Sequence, residues 1–543
     1  MKGLPQVARP RHGRIPSTLR ATLGGLALIA APTAAAAGGL VLPGSGPVST
    51  GRAGASVASI DDPSAIGINP ARLAAVPRGT TVHIGAAMFD YRMKFTRAGT
   101  YDDVIEPERT DPWEGQPYPT VEDESSPAIG LGGFQAVPVI AVASDLGGAV
   151  KGLTVAAGVF APNAYPVRSY GADYDLTDLT TAPPPTRYDT VEQEATVVLP
   201  SIAVAYAIND KLSIGARFSS GFGHIKAKTT VWGLDNLDEW AGRDSTFSVD
   251  VKDSFVPAFG VGAHYAITDA IEVGASWNSG YTVNGKGSGT TQTGVGIDIG
   301  GVPITVLPNN ETPLCAPGGT PEALKACVTV RLPWMATVGG RYVIRDAGGD
   351  QVADVELNVD YEAWSGASDY DVIVDGIAAV DPGPPPIGLP LQPTKIKHNL
   401  KDTISVRLGG SWQKALGFGK LVVRGGVAHD TAAAKEGWER VDFDGAARTT
   451  VAVGASVRLS KVQIDLGGGI AYEGTRTQGT GCNPAVIGEG CTPGSPQDGI
   501  NDRPGPDPIQ PTKDIGGQAQ SPFNEGKYES GYTLLMLGVS TWF

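Results

Sequence analysis

Residues 353–364, ADVELNVDYEAW, alternate between apolar and polar side chains with a period of two. The apolar row consists of Ala353, Val355, Leu357, Val359, Tyr361 and Ala363. The row between them is mostly acidic and includes Asp354, Glu356, Asp360 and Glu362. Successive side chains of a β-strand point to opposite faces of a sheet, so this stretch predicts a strand with one apolar face and one wet face.

The same alternation recurs along the chain, and the connections between the alternating stretches are of two kinds. Further clear examples are residues 403–412, 451–459 and 462–472. Six connections are short and polar, such as 460–461, whereas seven are long, such as 475–525. Six short and seven long connections predict about fourteen antiparallel strands and an all-β fold.

This pattern is typical of a transmembrane antiparallel β-barrel of the bacterial outer membrane, with short turns at one end and long loops at the other. A closed barrel pairs every backbone N–H and C=O group, as a lipid environment requires. The chain alternates up to its last residue, Phe543, an ending that resembles the C-terminal signal of outer-membrane barrels. A water-soluble β-sandwich is the alternative, but its strands usually have about five or six residues, and several strands here are longer.

Composition excludes other classes of protein. The chain has 543 residues, of which 41% are hydrophobic, so it is too apolar to be disordered as a whole. Beyond the N-terminal region it has no run of about 18 apolar residues, which a membrane-spanning helix needs. The net charge is −14 and no cluster of basic residues is visible, which argues against a nucleic-acid partner.

Residues 1–37 resemble a secretory signal peptide. An apolar run at 21–31 and small residues at 34–37 follow a basic region, as in cleavable signals. The basic residues are Arg9, Arg11, Arg14 and Arg20. A buried helix is the alternative, but its two glycines and one proline would weaken it. We therefore expect export to the outer membrane of a Gram-negative bacterium.

Export would place the four cysteines in an oxidising compartment. Cys315 and Cys327 are 12 residues apart, Cys482 and Cys491 are 9 apart, and each pair lies in a segment rich in Pro and Gly. The sequence predicts two local disulfides, Cys315–Cys327 and Cys482–Cys491. A zinc site is the alternative, although neither pair has the usual zinc-motif spacing or a nearby histidine. We expect no metal site.

Residues 38–77 do not alternate and are rich in small side chains, so they form either a disordered tail or a plug inside the barrel. They contain three short motifs, Gly51-Arg52-Ala53, Asp61-Asp62 and Asn69-Pro70-Ala71. With these motifs, and with strand-like stretches such as 332–342 and 401–412, the chain resembles the OMPP1/FadL/TodX family. That family consists of outer-membrane transporters for long-chain fatty acids and hydrocarbons.

The resemblance implies a signal peptide at 1–37, a small N-terminal hatch inside the lumen at 38–78, and a fourteen-stranded barrel with long extracellular loops at 79–543. It further implies that loops capture an apolar substrate, that the lumen binds it, and that it leaves sideways at a kink in the third strand. The kink maps to Phe160, Pro162, Asn163 and Tyr165. Pro162 has no N–H group for a ladder, so pairing should break there; alternatively, Pro162 only ends the strand. Asn69 is expected either to cap the turn that follows it or to contact this kink.

The resemblance also suggests where a substrate binds. A fatty-acid carboxylate in the lumen would need a cation, because a charge-assisted hydrogen bond holds an anion in a low-dielectric site. Lys226 and Lys228 share one face of a strand and are the candidates; solvated lysines are the alternative. Phe89 and Tyr91 are candidates for apolar lining, with an aromatic girdle at the membrane interface as the alternative.

The sequence therefore predicts passive transport of hydrophobic small molecules rather than an enzyme. No nucleophile motif accompanies the pair His429-Asp430, no ATP-binding motif is visible, and we expect no cofactor. The expected partners are fatty acids or hydrocarbons, outer-membrane lipid and lipopolysaccharide, and the barrel-assembly machinery. The alternatives are a general or solute-selective porin and a surface-displayed structural or adhesive barrel.

Overall fold

The structure is a computed structural model, and it describes most of the chain. The described residues are 46–101, 111–126, 130–131, 134–160, 167–231, 240–296, 298–299, 302–309, 314–315, 324–380, 387–435, 438–443, 445–478 and 526–543. The predicted signal peptide and the first residues of the predicted hatch lie outside them. So do three residues of the predicted kink, Pro162, Asn163 and Tyr165, and the predicted disulfide Cys482–Cys491.

Fourteen long strands form the wall of the barrel, as the alternation predicts. In chain order they are β1 (Thr80–Arg97), β2 (Phe134–Ser144), β3 (Leu153–Phe160), β4 (Glu192–Ala207), β5 (Leu212–Val231), β6 (Ser245–Ala266), β7 (Ile271–Asn278 and Tyr281–Thr293), β8 (Leu324–Leu332 and Met335–Arg345), β9 (Gln351–Glu362), β10 (Thr403–Leu416), β11 (Gly419–Asp430), β12 (Arg448–Arg458), β13 (Val462–Gln478) and β14 (Gly526–Trp542).

The wall is antiparallel and closed. Each strand pairs with the next in the chain, and β1 pairs with β14 from Thr81–Trp542 to Arg97–Gly526. Short turns join β2 to β3, β4 to β5 and the later alternate pairs at one end, whereas the connections at the other end are long. The predicted fourteen-stranded antiparallel barrel is thereby confirmed.

The long connections carry the shorter strands and part of the remaining helical structure. The shorter strands are Thr120–Glu122, Gly130–Leu131, Arg168–Ser169, Asp298–Ile299, Val302–Pro308, Asp369–Val380, Ile387–Pro390 and Thr394–Lys397. The 3-10 helices outside the N-terminal segment are Leu146–Gly148, Ala241–Arg243 and Trp364–Gly366.

The two faces of the wall follow the alternation that the sequence shows. In β9, Val355, Leu357 and Val359 are 45–49% exposed, as side chains that face lipid are in the isolated chain. Asp354 and Glu356 on the other face are 2% and 0% exposed. The apolar row therefore faces outward, and the acidic row faces the lumen, where other buried charges neutralise it.

Residues 46–77, the described part of the predicted hatch, lie inside the lumen. They form α1 (Pro47–Thr50), α2 (Ala65–Ile68) and a 3-10 helix (Pro70–Ala75), joined by tight turns. Ala53, Ile60 and Leu73 are completely buried, which a tail in solvent would not achieve. The segment, called the hatch below, is the plug that the sequence offered as one of two alternatives. No helix among the described residues is long and apolar enough to cross a membrane.

Candidate functional site

Arg52 of the first hatch motif binds the acidic row of β9. Its Nη2 lies 2.8 Å from Asp354 Oδ2 and 3.4 Å from Glu356 Oε2, and its Nε donates to the Ala55 carbonyl at 2.7 Å. Glu356 also accepts a hydrogen bond from the backbone N–H of Ala58 at 2.8 Å. Because all these groups are buried, the hatch supplies part of the hydrogen bonding that compensates the burial of the two carboxylates.

Asn69 of the third motif joins two parts of the hatch to the wall. Its Nδ2 donates to the Val57 carbonyl at 2.8 Å and to the Ala263 carbonyl of β6 at 3.1 Å. Its Oδ1 accepts from the backbone N–H of Ala71 at 3.1 Å and so caps the 3-10 helix. Pro70 after it favours the extended backbone that a cap needs, and Asn69 has φ −147° and ψ 101°. The predicted capping role is present, together with a contact to β6.

A row of polar side chains connects the two ends of the hatch across the wall. Arg72 Nη1 lies 3.1 Å from His264 Nε2, and His264 lies 3.5 Å from Glu272. Arg341 then bridges Glu272 at 2.9 Å and Asp354, the partner of Arg52, at 3.1 Å. Strands β6, β7, β8 and β9 thus hold the hatch through one continuous polar network.

The two aspartates of the second motif make different contacts. Asp61 lies 3.6 Å from Arg458 of β12 at a partly exposed place. Asp62 is buried, and its Oδ1 accepts a hydrogen bond from the Ser64 N–H at 2.7 Å. These contacts are structural, and they place all three motifs of the hatch against the wall.

A second ion-pair set lies beside the first motif. Arg407 Nη2 lies 2.9 Å from Asp430, which also binds Arg448 at 2.6 Å, and Arg407 pairs with Asp360 as well. Arg407 Nη1 reaches the Ala53 carbonyl of the hatch at 3.4 Å. The alternation in the sequence predicts that these charges face the lumen, but it does not reveal that they hold the hatch.

An apolar cluster surrounds the hatch in the lumen and extends to the inward-folded loops. It joins hatch residues such as Ile66 and Leu73 to the wall and to Trp364 and Phe443 of two loops. Its larger wall residues are Phe160, Val197, Leu199, Val256, Tyr281, Val283 and Leu332. This lining gives an apolar molecule a favourable environment that a water-filled pore does not offer.

Arg217 of β5 lies where this apolar lining meets the hatch, and it is not among the site residues predicted from the sequence. Its Nη1 donates to the Ile66 carbonyl and its Nη2 to Asn278 Oδ1, both at 2.9 Å. Its guanidinium carbon lies 4.8 Å from the centre of the Phe160 ring, and its Nε is buried without a partner. Within the described residues Arg217 forms no ion pair. An arginine among Ser213, Gly215 and Ser219 on the lumen face was the available signal.

Phe160 is the last residue of β3, and the rest of the predicted kink, 161–165, lies outside the described residues. The ladder between β3 and β4 ends at the pair Phe160–Leu199. Pairing on this side of β4 is next described at Arg168–Gln193. On its other side, β4 pairs with β5 at Val198–Phe222 and again at Ser201–Ser219, and no pair is described between them. Pro200, which has no N–H group, occupies that interval.

An apolar groove of about 510 Å³ lies in the wall at the same level. Its lining comes from β1 to β5 and includes the exposed side chains of Ile140, Ile202 and Phe218, together with Ala157 and Pro200. These exposed side chains belong to the outward row of their strands. The groove is therefore open to the lipid side of the wall.

The structure places Lys226 and Lys228 on the outer face of β5 rather than in the lumen. Ile214, Phe218 and Phe222 at even positions are exposed to lipid, and the two lysines share that parity. They line a mixed polar groove of about 480 Å³, where Lys228 Nζ donates to the Ala172 and Tyr174 carbonyls at 3.1 Å. The prediction that these two lysines bind a substrate in the lumen is therefore wrong, because both lie on the opposite face of the strand.

Phe89 and Tyr91 of β1 do face the lumen. Phe89 is buried against Tyr532 and Leu534 of β14. Tyr91 donates from its hydroxyl to Glu473 at 2.7 Å, and the guanidinium of Arg168 lies 4.0 Å from its ring centre. Both contacts fit a lumen lining, and the binding of substrate by these two residues stays a prediction.

Three long loops meet in a buried charged cluster. His398 Nε2 lies 2.8 Å from Asp442 Oδ2, Arg440 pairs with Asp189, and Asp189 also accepts from the Val441 N–H at 2.6 Å. Burial, with the nearby Asp442 carboxylate, raises the pKa of Asp189 to about 6 although Arg440 opposes the shift. His398 and Arg440 offset the effect of burial and hold the pKa of Asp442 at about 2. We call this cluster the loop clamp.

Cys315 and Cys327 are free thiols in the structure, which differs from the predicted disulfide. Cys315 Sγ instead donates to the Ile373 carbonyl at 3.5 Å. Burial, and then the adjacent Cys327 thiol, raise the pKa of Cys315, so it is protonated. Among the described side chains, no group of three or more His, Cys, Asp or Glu residues is arranged to hold a metal ion.

Comparisons with known proteins agree with this architecture. A family model described as outer membrane protein transport protein (OMPP1/FadL/TodX) matches residues 27–480. A Pseudomonas aeruginosa FadL homologue is 15% identical, with 93% of this chain and 100% of that chain covered and a TM-score of 0.62. The Ralstonia pickettii toluene transporter TbuX is 15% identical, with coverages of 92% and 99% and a TM-score of 0.54. The P. putida toluene transporter TodX is 14% identical, with coverages of 92% and 99% and a TM-score of 0.56.

The solved structures, at these low identities, show the fold alone, and no curated protein matches the chain. The family model, by contrast, covers most of the chain. The barrel with its lipid-facing apolar row is located in the outer membrane of Gram-negative bacteria. The chain belongs to the OMPP1/FadL/TodX family of outer membrane transport proteins.

Proposed function

We propose that the protein carries hydrophobic small molecules, such as long-chain fatty acids or hydrocarbons, passively across the outer membrane. The long loops capture the substrate, the apolar lumen binds it, and it leaves sideways through the wall at the end of β3. The observation that carries this proposal is an apolar surface on both sides of one part of the wall. Phe160 and Leu199 belong to the lumen cluster, and Ala157 and Pro200 belong to the groove on the lipid side.

Strand register supports an interruption of the wall at this place. Between the pairs Phe160–Leu199 and Arg168–Gln193, the chain has seven residues on one side, 161–167, and five on the other, 194–198. A regular antiparallel ladder needs equal numbers, because its residues pair one to one. The two described pairs therefore do not belong to one uninterrupted regular ladder, which supports the proposed exit beside Phe160.

Arg217 supports an anionic group on some substrates. Its contacts in the lumen are to a carbonyl and an amide oxygen, and its Nε has no partner in the described structure. A buried guanidinium without a carboxylate gains most from a carboxylate ligand. We therefore favour fatty acids over neutral hydrocarbons as the substrate that this chain binds best.

The proposed activity needs no chemical step and no cofactor. An apolar molecule moves down its gradient when the path offers it a continuous apolar surface. The similar proteins TbuX and TodX are toluene transporters, which is consistent with a transport function rather than an enzyme.

The test compares two exposed alanines on the lipid face, Ala157 in the groove and Ala86 in β1 outside it. Ala157→Phe fills the groove, so we expect slower transfer of a fluorescent fatty acid into reconstituted vesicles and unchanged binding by detergent-purified protein. Ala86→Phe should leave both unchanged. Equal transfer rates for the two variants would contradict lateral release at this site.

A second measurement separates this function from that of a porin. We expect the intact protein to conduct few ions in planar bilayers and a variant that lacks residues 38–77 to conduct many. A large current from the intact protein would favour a general or solute-selective porin.

A further inference from the structure

Glycines pair directly across neighbouring strands at four places in the lumen wall between β5 and β13. These pairs lie between β5 and β6, β7 and β8, β10 and β11, and β12 and β13. The pairs are Gly215–Gly262, Gly274–Gly339, Gly409–Gly426 and Gly454–Gly467. Between β5 and β13 only β9 has no member of such a pair, and β9 supplies Asp354 and Glu356 to Arg52 instead.

Each of these glycines lies against the hatch. A Cβ atom on Gly274 would lie 2.6 Å from the Val57 oxygen, and one on Gly409 would lie 2.6 Å from the Arg52 oxygen. The Cβ atoms of the other six would meet Pro47, Gly51, Arg52, Val57, Asn69 or Pro70 at 3.0 Å or less. Contacts this short do not occur for real Cβ atoms, and most of the atoms met belong to the backbone. At six of the eight positions the hatch backbone touches the strand backbone, and at Gly262 and Gly339 the side chains of Asn69 and Val57 occupy the space that a Cβ would need.

The opposite wall meets the hatch differently. On β2, β3 and β4 the contacts come from Ala141, Ala143, Ala156, Ala203 and Ala205, which pack with Ala65, Ile66 and Leu73 in the apolar cluster. A fifth glycine pair on the lumen face, Gly85–Gly538, joins β1 to β14, and there only Gly538 would meet the hatch, at a side-chain atom of Pro47 2.9 Å away. Gly85 and Gly158 would meet only atoms of the wall itself. This side makes apolar contacts, whereas the glycine side combines backbone contact with hydrogen bonds and buried ion pairs.

We propose that the four glycine pairs form a seat that holds the hatch against β5–β13 throughout transport, so that the substrate passes the hatch on the alanine side, along β2–β4. The inference rests on the proposed transport function and adds the path and the fixed element. Backbone contact leaves no side chain that can rotate away, so movement on the glycine side would break several contacts and ion pairs together. On the alanine side, an apolar molecule can replace one apolar contact by another.

The first experiment uses neighbouring glycines as matched variants. A Cβ on Gly426 would meet Arg52, whereas one on Gly425 would have only the Ala452 oxygen nearby, at 3.9 Å. Gly339 and Gly340 form a second such pair, because Gly340 has nothing within 4 Å. We expect G426A and G339A to raise ionic conductance in planar bilayers at least severalfold and G425A and G340A to leave it unchanged. Unchanged conductance in all four folded variants would overturn the seat.

A disulfide tests whether the hatch stays fixed, and it applies even if a seat variant fails to fold. Ala53 of the hatch packs in one small cluster with Ala428 and Ala452 of the wall. In the double variant Ala53→Cys, Ala452→Cys, oxidation should lock the hatch to β12. We expect uptake of the fluorescent fatty acid to be the same before and after reduction, with the native protein as the control for the reductant. Loss of uptake on oxidation, restored by reduction, would overturn the proposal.

The two readouts separate this inference from the proposed function. Conductance requires no hydrophobic substrate. If the seat variants raise conductance as expected but the native protein takes up no fatty acid, the result would contradict the transport function alone. Normal uptake with insensitive conductance would contradict the seat alone.

Discussion

The hatch meets the barrel on two sides that differ in chemistry. Toward β5–β13 it meets glycine backbone and buried ion pairs such as Arg52–Asp354. Toward β2–β4 it meets alanines and the ring of Phe160. Buried ion pairs need fixed geometry to offset their desolvation, whereas apolar contacts depend little on direction. The difference teaches that a plug can be held firmly and still leave an apolar passage, if one side of the wall binds the plug and the opposite side provides the passage.

The largest effect is expected from a substitution that breaks the buried ion pairs on the glycine side. Arg52→Ala leaves Asp354 and Glu356 buried with fewer partners, and removal of one partner of a buried pair costs about 3–5 kcal/mol. We expect a lower free energy of unfolding in detergent and a raised ionic conductance. The control is Arg458→Ala, whose contact to Asp61 is 3.6 Å long and partly exposed. Equal behaviour of the two variants would show that Arg52 does not hold the hatch.

A smaller effect is expected at Asn69, whose side-chain amide forms hydrogen bonds with both the hatch and the wall. Asn69→Asp keeps the acceptor that caps Ala71 but places a carboxylate oxygen against the Val57 and Ala263 carbonyl oxygens, which costs at least about 1–3 kcal/mol, the penalty for an unsatisfied buried group. We expect normal barrel assembly, measured by heat-modifiable migration in gels, and reduced fatty-acid uptake. Asn69→Ala, which loses the donors and the cap without adding a charge, should also show reduced uptake. Normal uptake in both variants would leave this motif without a functional role.

The third prediction sharpens the contrast between the two sides with one type of substitution. Ala205→Leu adds volume on the alanine side, and Ala452→Leu adds it beside Ala53 on the glycine side. Overpacking costs about 1–3 kcal/mol in either place, so stability alone does not distinguish them. We expect Ala205→Leu to lower uptake without a rise in conductance, and Ala452→Leu to raise conductance. If Ala205→Leu raised conductance and Ala452→Leu lowered only uptake, the hatch would be held on the alanine side and the substrate would pass on the glycine side.

The smallest effect concerns the loop clamp, which lies apart from both sides of the hatch. The pKa of Asp189 is raised to about 6 in the fold, so its stabilising contribution is full below pH 3.8 and is lost as pH rises through 6. The pKa of Asp442 is lowered to about 2, so its contribution is lost only as pH falls from 3.8 through 2. Protection of the clamp in hydrogen exchange should therefore increase as pH falls from 7 to 5, after correction for the intrinsic rate. Asp189→Asn should remove this increase, and hatch conductance should not follow it.

Much of the fold could be predicted from the sequence because each strand carries its own evidence. Alternation in residues 353–364 predicts both the strand β9 and which of its faces is lipid-facing. The alternation of short and long connections then gives the number of strands. The bulge of β6 opposite Gly221 and Gly223 could not be predicted, because it depends on the register with β5.

The candidate site could be predicted less completely. The motifs of Arg52 and Asn69 indicate a hatch, but their partners, Asp354 and the Ala263 carbonyl, lie about 200 to 300 residues away. Lys226 and Lys228 could have been assigned to the outer face, because the parity of Phe218 and Phe222 continues to them. The glycine pairs could not have been found without the register, although the chain contains 74 glycines.

Closure of the barrel has a consequence for how the hatch is anchored. The hatch leads directly into Thr80, whose N–H and C=O pair with those of Phe543, next to the last strand of the wall. The C-terminal end of the hatch is therefore attached to the seam where the first and last strands meet. A rupture of this one ladder would open the wall and release the tether of its plug together.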